Sequence, residues 1–587
     1  MPKTIINKII KRSIIATLIF NQGLALAAVN GPRIPSSARP ETASRALSAT
    51  PQAMPETTTQ AATSPTSAPA NSPLGSEAHK IKFKLTKIIL LDNHVYSSTE
   101  LSGLYADKIN QKISVAQLQG IVQSITNYYR NHGYVLTRAI LPPQKVTKAG
   151  VVKIKVIEGY VDHVAVVGKP LKAKYLLQHY GDHVIASKPL QINDLERYML
   201  LANEIPGVQS KAVLEPSKNT SGAASLDFVT ETKPLSGYVS YDNYGTLYIG
   251  PREMAAGFEA DSILRSGDST QLNIATTTKP DELKFVQLLH NTPLGTQGLR
   301  LIVSGNDAKT QPGLTLQPLK IKGTANTYFG MLQYPLLRTR SKSLTLDASL
   351  NWIDSTVLFT SAQATLYADH LRTLRAGANF TNVDGWSGAN SLSAHIETGI
   401  PSMGGTSVGQ GNNRNVQTSR AGASNHFVRI EGDISRQQQF GLWPISIYGI
   451  IKGQYAFEPL LSSMQFGFGG VQSGLGRGYD SAEIIGDKGV AGSLEIRSSY
   501  FIDKWLPGSS IYAFYDAGII WNDQAALGQS SSENAMSVGV GARFTFTKHL
   551  MGNFLLAKPL TKLVSAYQAA GRNAKAPRVF FGVTATV

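Results

Sequence analysis

Residues 343–352 read Ser-Leu-Thr-Leu-Asp-Ala-Ser-Leu-Asn-Trp, a strict alternation of polar and apolar side chains. Residues 537–546, Ser-Val-Gly-Val-Gly-Ala-Arg-Phe-Thr-Phe, repeat this pattern and place Arg543 on the polar face. Ten residues of such alternation match one tilted strand of a transmembrane β-barrel, with the apolar face towards lipid and the polar face towards the lumen. A soluble β-sandwich also alternates, but its apolar faces must share one core. The small, hydrophilic polar faces favour the membrane barrel.

The β pattern begins near residue 234 and continues to residue 587. At roughly 22 residues for each strand and its connection, this length accommodates about 16 antiparallel strands. Residues 404–425 are rich in Gly, Ser and Asn and are interpreted as a long surface loop. We therefore predict an all-β membrane barrel over residues 234–587.

The composition excludes several classes of function. The 587 residues contain no cysteine, which rules out disulfides, thiolate metal sites and cysteine nucleophiles. The formal net charge is +17, but the positive charge is spread along the chain. No long basic run with interleaved aromatic residues supports nucleic-acid binding. Residues 405–409, Gly-Thr-Ser-Val-Gly, match a nucleophile elbow, but that motif needs a preceding strand and a following helix.

The N-terminus has the pattern of a secretory signal peptide over residues 1–27. Basic residues precede a short apolar core at residues 14–20, and Ala25 and Ala27 fit cleavage after residue 27. The alternative is an uncleaved membrane anchor. No later apolar run approaches the roughly 20 residues of a spanning helix, so a membrane span has to be a β-barrel.

Residues 28–78 are predicted to be a disordered linker. The segment contains eight prolines and many Ser, Thr and Ala residues, with no Phe, Trp or Tyr. Such a composition buries too little apolar surface to offset the entropy lost on ordering. No amphipathic helix is evident in it.

Residues 79–158 and 159–233 are predicted to form two small α+β modules. In the first, the capping-box residues Ser114 and Gln117 begin a helix, flanked by strands near residues 81–85, 134–141 and 151–157. The second repeats the order with strands at 161–167, 211–214 and 225–230 and a helix that begins near Asn193. His179 and His183 could bind a metal, but no third ligand is evident, and we expect them in a solvated loop at a helix end.

Residues 128–144, Tyr-Tyr-Arg-Asn-His-Gly-Tyr-Val-Leu-Thr-Arg-Ala-Ile-Leu-Pro-Pro-Gln, are followed by Val-Ile-Glu-Gly at 156–159. This segment resembles the first periplasmic POTRA domain of the two-partner secretion transporters, the haemolysin-activator and filamentous-haemagglutinin-transporter family. Residues 241–245, 334–340, 465–497 and 514–518 are similar to that family's barrel motifs. The matching POTRA positions are Tyr129, Gly133, Tyr134, Arg138, Leu141, Pro142, Gln144, Glu158 and Gly159.

The resemblance implies an outer-membrane pore with two periplasmic POTRA domains. Such a pore recognises a large unfolded exoprotein in the periplasm and exports it without nucleotide or another cofactor. It is inserted by the barrel-assembly machinery into outer-membrane lipid, and we expect a monomer without enzymatic activity. Many members also carry an N-terminal pore-plugging helix, which the composition of residues 28–78 does not indicate. The alternatives are a barrel-insertion factor of the same superfamily and a passive porin.

The resemblance further implies that the loop with Arg477, Gly478 and Tyr479 folds into the lumen, where Arg477 meets Asp516. Alternation within residues 511–519 independently directs Phe514, Asp516 and Gly518 to the lumen. An aspartate that faced lipid would be costly, whereas one that faces inward can accept a guanidinium bidentately. Glu495 also points inward, because Leu494 and Ile496 occupy the opposite face. The sequence leaves open whether Asp516 or Glu495 pairs with Arg477.

Overall fold

The computed structural model describes residues 34–48, 78, 81–145, 149–169, 171–220, 222–407, 416–441, 444–523 and 530–587. The signal peptide predicted at 1–27 lies outside the described residues, as does most of the linker predicted at 28–78. Among the described residues, no α-helix combines the length and the hydropathy that crossing a membrane requires.

Sixteen antiparallel strands close into one barrel, which confirms the predicted fold class. The barrel strands are β9 (Leu235–Asp242), β10 (Glu253–Asp261), β11 (Ser269–Thr277), β12 (Leu283–Pro293), β13 (Arg300–Thr310), β14 (Ile321–Arg338), β15 (Lys342–Phe359), β16 (Ala364–Val383), β17 (Gly388–Gly399), β18 (Val428–Phe440), β19 (Ile445–Ala456), β22 (Lys488–Ser498), β23 (Ser510–Trp521), β24 (Ser532–Thr547), β25 (Leu550–Pro559) and β26 (Arg578–Thr586). A short hairpin, β20 (Phe466–Phe468) with β21 (Ile484–Gly486), belongs to the loop between β19 and β22.

The alternation in the sequence sets the two faces of each strand. In β15, Leu346 and Leu350 are about two-fifths exposed on the outer face, whereas Asp347 and Ser349 are buried on the inner face. Apolar side chains on the outer face of a closed barrel contact lipid, and polar side chains on the inner face form hydrogen bonds within the lumen. Strand β9 directly follows the N-terminal modules. Its N-terminal end, and the turns at the same end of the barrel, therefore form the periplasmic rim.

The first and last strands close the barrel along a short ladder, from Tyr238↔Thr586 to Asp242↔Gly582. Beyond it, the Asn243 side chain continues the pairing: Nδ2 donates to the Val579 carbonyl at 2.9 Å, and Oδ1 accepts from the Phe581 amide at 2.7 Å. The motif at residues 241–245 therefore extends the seam of the barrel towards its outer end.

The first α+β module has one three-stranded and one two-stranded sheet, and its main helix packs on the core of the module. The capping box of Ser114 and Gln117 begins this helix, as the sequence predicts. The strand expected at 134–141 is shorter than predicted, because residues 134–137 form a turn. The elements are β1 (Lys82–Lys84), β2 (Lys87–Leu91), α2 (Ser98–Ser102), β3 (Lys112–Ser114), α3 (Val115–Asn131), β4 (Arg138–Ile140) and β5 (Val151–Ile157).

The second module has the sheet β6-β8-β7, covered by two helices. One of these helices was not predicted: His179 and His183 lie within helix α4 (Lys174–Ala186) rather than in a loop. Its apolar face, with Leu177, Tyr180 and Val184, is buried in the core of the module. The elements are β6 (Val161–Gly168), α4 (Lys174–Ala186), α5 (Ile192–Asn203), β7 (Val208–Pro216) and β8 (Ala224–Thr232).

The second module is docked on the periplasmic rim. Arg197 of α5 donates to the carbonyls of Gln297 at 3.0 Å and Leu336 at 3.3 Å. Glu204 binds Arg338, and Glu196 binds Arg340 at 3.6 Å. Residues 334–340, which resemble a family motif, therefore form part of the joint between barrel and module.

The prediction of a linker without an amphipathic helix is wrong for residues 34–48. Helix α1 (Pro40–Ser48) lies inside the barrel, where Ala43 packs in an apolar cluster with Tyr248, Leu316 and Tyr367. The segment has little apolar surface of its own, and the lumen wall supplies the partners that its composition lacks. Proline at the first helical position and Glu41 in the first turn are start signals that the composition obscures.

Of the surface loop predicted at 404–425, residues 408–415 lie outside the described residues, and the prediction is wrong for Asn425. Asn425 is fully buried, and its Oδ1 accepts from the Arg372 amide at 3.0 Å while its Nδ2 donates to the Ile400 carbonyl at 2.8 Å. A polar residue of this loop is thus buried and binds the backbone of neighbouring strand ends.

Candidate functional site

The loop that joins β19 to β22 (the lumen loop, residues 457–487) folds back into the barrel. Its tip passes close to other backbone, which restricts two glycines. Gly476 has φ +72°, and a Cβ there would lie 2.6 Å from Phe468 Cε1. A Cβ on Gly478 would lie 3.0 Å from the Pro559 nitrogen. Without side chains at these two positions, the tip can pack closely against Phe468 of its own loop and against the barrel strands.

Arg477 at this tip binds both carboxylates that the sequence proposed as alternatives. Its Nη2 is 2.8 Å from Asp516 Oδ1, its Nε is 3.1 Å from Asp516 Oδ2, and its Nη1 is 2.7 Å from Glu495 Oε2. Nη2 also donates to Ser493 Oγ at 2.8 Å, and the Arg477 amide donates to Asp516 Oδ2 at 2.9 Å. Arg477 is 4% exposed and Asp516 is fully buried. The guanidinium thus makes four hydrogen bonds to the inner faces of β22 and β23.

The ring of Phe514 lies under the guanidinium, with the Arg477 Cζ atom 3.6 Å from the ring centroid. Two glycines on the inner wall make room for the aromatic rings. A Cβ on Gly539 would lie 2.6 Å from the Phe514 ring, and a Cβ on Gly518 would lie 2.5 Å from Phe468. Phe514 and Gly518 therefore shape the site, while Asp516 supplies charge.

Glu495 connects this site to two further cations. Arg497 Nε lies 2.6 Å and Arg543 Nη1 2.7 Å from Glu495 Oε1. The cluster therefore holds three guanidinium groups around two carboxylates on adjacent strands. Sequence alternation places Arg543 on the lumen face, but the sequence does not indicate its contact with Glu495.

A second buried ion pair holds the other side of the tip. Arg578 of β26 donates to Asp480 Oδ1 at 2.6 Å and to the Gly478 carbonyl at 3.2 Å. The Tyr479 hydroxyl donates to the Met536 carbonyl at 2.8 Å and accepts from the Lys562 amide at 3.2 Å. Asp480 and Arg578 are far apart in sequence, and no local pattern joins them.

A third ion pair lies at the outer end of the lumen loop. Arg420, from the preceding long loop, binds Asp487, which is fully buried. Asp487 also accepts from the Leu460 amide at 2.9 Å and from the Asp523 amide at 2.8 Å. Three outer loops therefore converge on one carboxylate, which the sequence does not reveal.

Helix α1 rests on both the lumen loop and the wall. Arg45 donates to the carbonyls of Gln465, at 3.2 Å, and Ser463. Ser44 Oγ donates to Asn306 Oδ1 on the wall at 2.9 Å. Glu41 accepts from the hydroxyls of Ser355 at 2.9 Å and Tyr367 at 3.1 Å. Hydroxyl, amide and carbonyl groups supply these contacts of the helix.

The POTRA motif residues stabilise the first module and its joint to the second. Tyr129 OH donates to Glu158 Oε1 at 2.9 Å, and burial with this carboxylate beside it raises the pKa of Tyr129. Glu158 Oε1 also accepts from the His94 and Val95 amides at 2.9 Å. The carboxylate thus ties α3, the end of β5 and the loop after β2 together.

Two motif glycines lie at the joint between the modules. The carbonyl of Gly133, whose φ is +94°, accepts from the Ile192 amide at 2.9 Å, and the Gly159 carbonyl accepts from the Leu190 amide at 2.9 Å. The remaining motif residues act within the first module. Gln144 pairs with the backbone of Lys153, Tyr134 packs edge-on against Tyr129, Leu141 packs on the core, Arg138 begins β4, and Pro142 is half-buried.

The histidines of α4 have protein partners. His183 lies 3.0 Å from Thr296 Oγ1 and stacks on Tyr198, and His179 Nδ1 lies 2.8 Å from the Tyr175 carbonyl. Within the described part of the chain, no group of three or more His, Cys, Asp or Glu side chains is arranged to hold a metal ion.

Comparison with protein families gives two matches. Residues 227–544 match the family described as haemolysin secretion/activation protein ShlB/FhaC/HecB. Residues 83–159 match the POTRA domain of ShlB type.

Among curated proteins, the heme/hemopexin transporter protein HuxB of Haemophilus influenzae (strain 86-028NP) is 26% identical over 82% of this chain and 84% of its own length. The hemolysin transporter protein HpmB of Proteus mirabilis is 21% identical over 65% of this chain and 66% of its own.

Two solved structures share the fold. CdiB from Escherichia coli superposes with a TM-score of 0.69 at 19% identity, covering 89% of this chain and 93% of that one. CdiB from Acinetobacter baumannii gives 0.60 at 15% identity, covering 86% and 90%. The family match spans more than half of the chain and includes the strands that bind Arg477, so the chain belongs to the haemolysin secretion/activation family ShlB/FhaC/HecB.

Proposed function

We propose that this protein captures one large, unfolded exoprotein in the periplasm and moves it through the barrel to the cell surface. The barrel lies in the outer membrane and the POTRA modules in the periplasm. The observation that carries the proposal is the docking of the second module on the barrel rim through Arg197, Glu196 and Glu204. Polypeptide bound by this module is delivered next to the lumen.

Capture fits the sheets of the two modules. In the described sheets, β4 and β7 are end strands. An extended polypeptide can add to such an edge, where main-chain hydrogen bonds give affinity without a strict sequence requirement. The passenger then threads the lumen and folds outside, and this folding biases movement outward without nucleotide.

Passage requires that the contents of the lumen rearrange. Helix α1 and the lumen loop both occupy the barrel, so an open path needs at least one of them to move. The partners of α1 are uncharged hydroxyl, amide and carbonyl groups, which makes it the better candidate, because its release breaks none of the buried ion pairs that hold the loop tip.

The partner is a large secreted protein, as for relatives named hemolysin and heme/hemopexin transporters. Haemolysins, adhesins and contact-dependent toxins fit the proposal equally well, and the reading frame beside this gene is the place to search for the partner. We propose a monomer that the barrel-assembly machinery inserts, with no catalytic step of its own.

Two other functions have less support. A passive porin needs neither two docked periplasmic modules nor a lumen filled by a helix and a loop. A barrel-insertion factor would share the architecture, but its substrates are other barrels rather than secreted proteins.

Deletion of residues 79–232 tests the proposed division of labour. The barrel should still reach the outer membrane and retain heat-modifiable mobility on gels, while export of the partner should cease. A matched control is Lys218→Ala, an exposed residue of the second module, which should export normally. Normal export without the modules would disprove capture by the POTRA domains.

A further inference from the structure

The periplasmic turn between β22 and β23 (the aromatic turn, residues 499–509) is longer than a hairpin needs. It spans eleven residues, against four at 384–387 and two at 548–549. Three large aromatic side chains project from it: Tyr500, Phe501 and Trp505 are 68%, 71% and 79% exposed. Exposed aromatic clusters of this kind mark interaction surfaces.

The turn is an ordered platform for these rings. The Asp503 amide donates to the Ser499 carbonyl at 2.8 Å, and the Leu506 amide donates to the Ile502 carbonyl at 2.9 Å. Asp503 Oδ1 accepts from the Gly508 amide at 2.8 Å. Backbone groups that are paired within the turn can leave bulk water at lower cost than free ones.

The end of the turn is hydrogen-bonded to β24, because Ser509 Oγ accepts from the Thr545 amide at 2.9 Å. Tyr500 and Phe501 pack edge to face, with ring centroids 5.3 Å apart. The Tyr500 and Phe501 rings therefore support each other on a turn that is hydrogen-bonded to the barrel wall.

The cluster continues the lipid-facing surface. The outward row of β22 contains Leu494 and Ile496, and Tyr500 lies two residues beyond the end of this strand. On β24, which pairs with β23 on the side away from β22, Phe546 is exposed on the outer face and stacks with Phe544. Aromatic residues at this level form the girdle by which barrels meet the membrane–water interface.

Lys504 and Asp503 place one exposed charge of each sign beside the rings. Lys504 is exposed between Phe501 and Trp505, where its ammonium can reach headgroup phosphates. Tryptophan and tyrosine combine an apolar body with a polar edge and favour this boundary. We propose that the aromatic turn is an interfacial anchor that inserts Tyr500, Phe501 and Trp505 into the headgroup–acyl boundary of the periplasmic leaflet.

The anchor would fix the depth of the two strands that bind Arg477. β22 carries Glu495 and β23 carries Asp516, and the aromatic turn joins their periplasmic ends. The inference rests on the membrane barrel and is independent of what the pore exports.

Because the chain has no cysteine, Phe501→Cys gives a unique thiol for a spin label in the full-length protein reconstituted in phospholipid bilayers. Collision with oxygen, which is enriched in lipid, is compared with collision with a water-soluble nickel chelate. The controls are Leu350→Cys on the lipid-facing wall and Lys218→Cys in an exposed turn of the second module.

We expect the oxygen-to-nickel collision ratio at residue 501 to exceed that at residue 218 several-fold and to approach that at residue 350. Trp505→Cys should give the same result, and it provides a second test if Phe501→Cys does not fold. Ratios at 501 and 505 equal to that at 218 would overturn the anchor and leave the rings in the periplasm as a protein contact.

Discussion

The lumen loop and helix α1 fill the same barrel but are held by different chemistry. At the loop tip, Arg477 engages two buried carboxylates and Arg578 engages a third, Asp480. Arg39, just before the helix, donates to the Ser462 hydroxyl, and Arg45 within it donates to main-chain carbonyls. The comparison indicates that the loop tip is a permanent part of the wall and that the helix is the removable part.

The energetic difference follows from burial of charge. Removing one member of a buried ion pair leaves the other charged and unpaired, which costs about 3–5 kcal/mol. The contacts of Arg45 and Glu41 in α1 each join a charged side chain to an uncharged partner, and a hydrogen bond of this kind contributes about 1.5–3 kcal/mol, because water forms equivalent bonds when the contact opens. The loop tip should therefore stay in place under conditions that release α1.

The largest effect is expected for Arg477→Ala. Glu495 and Asp516 would lose their shared guanidinium inside the barrel, at a cost of about 3–5 kcal/mol to the packing of the loop tip. Export of the partner should fall to background while the barrel still assembles, as judged by heat-modifiable mobility. Arg45→Ala is the matched control in α1 and should retain export.

Asp516→Ala should reproduce the Arg477→Ala defect, and the double variant should be little worse than either single variant, because the two residues act as a unit. Additive defects would contradict this pairing and would leave Glu495 as the partner that matters. Equal loss of export in Arg45→Ala would contradict the distinction between loop and helix.

A clear but smaller effect is expected when residues 34–48 are deleted. The barrel should remain folded, because its strands close without the helix, and conductance in planar bilayers should rise several-fold as water fills the vacated lumen. Unchanged conductance would mean that the lumen loop alone sets the width of the pore. Residues 35–38 also contact the loop through Ser36, so the deletion includes them.

The smallest effect is expected for Arg477→Lys. An ammonium keeps the charge but cannot reproduce the fork that spans Asp516 and Glu495, so export should be intermediate between the native chain and Arg477→Ala. Secretion assays on the three proteins in parallel measure this order. Full activity of the lysine variant would show that charge alone, without bidentate geometry, holds the tip.

The sequence alone predicts the parts that depend on local pattern. Alternation in residues 343–352 indicates a barrel strand because each side chain reports its own face. Phe514, Asp516 and Glu495 are directed inward by the same reasoning, and Ser114 with Gln117 marks a helix start within four residues. What these residues contribute to export stays a prediction.

The parts that depend on distant partners are missed. Helix α1 has a small apolar face that packs on the wall, and its polar side chains are held there by Tyr367, Ser355 and Asn306. The pairs of Arg578 with Asp480 and of Arg420 with Asp487 join segments that only barrel closure brings together. No spacing along the chain encodes such contacts.

The most direct test of a fixed loop and a removable helix is to lock the helix in place. Ser44 and Asn306 are hydrogen-bonded between α1 and the wall, so Ser44→Cys with Asn306→Cys places two thiols across this contact in a chain that has no other cysteine. Oxidation to the disulfide should stop export and keep conductance low. Reduction should restore export and let the conductance rise again. Ser44→Cys alone should not respond to oxidation. Equal export by the oxidised and reduced double variant would contradict the account, because the exoprotein would then pass with the helix in the lumen.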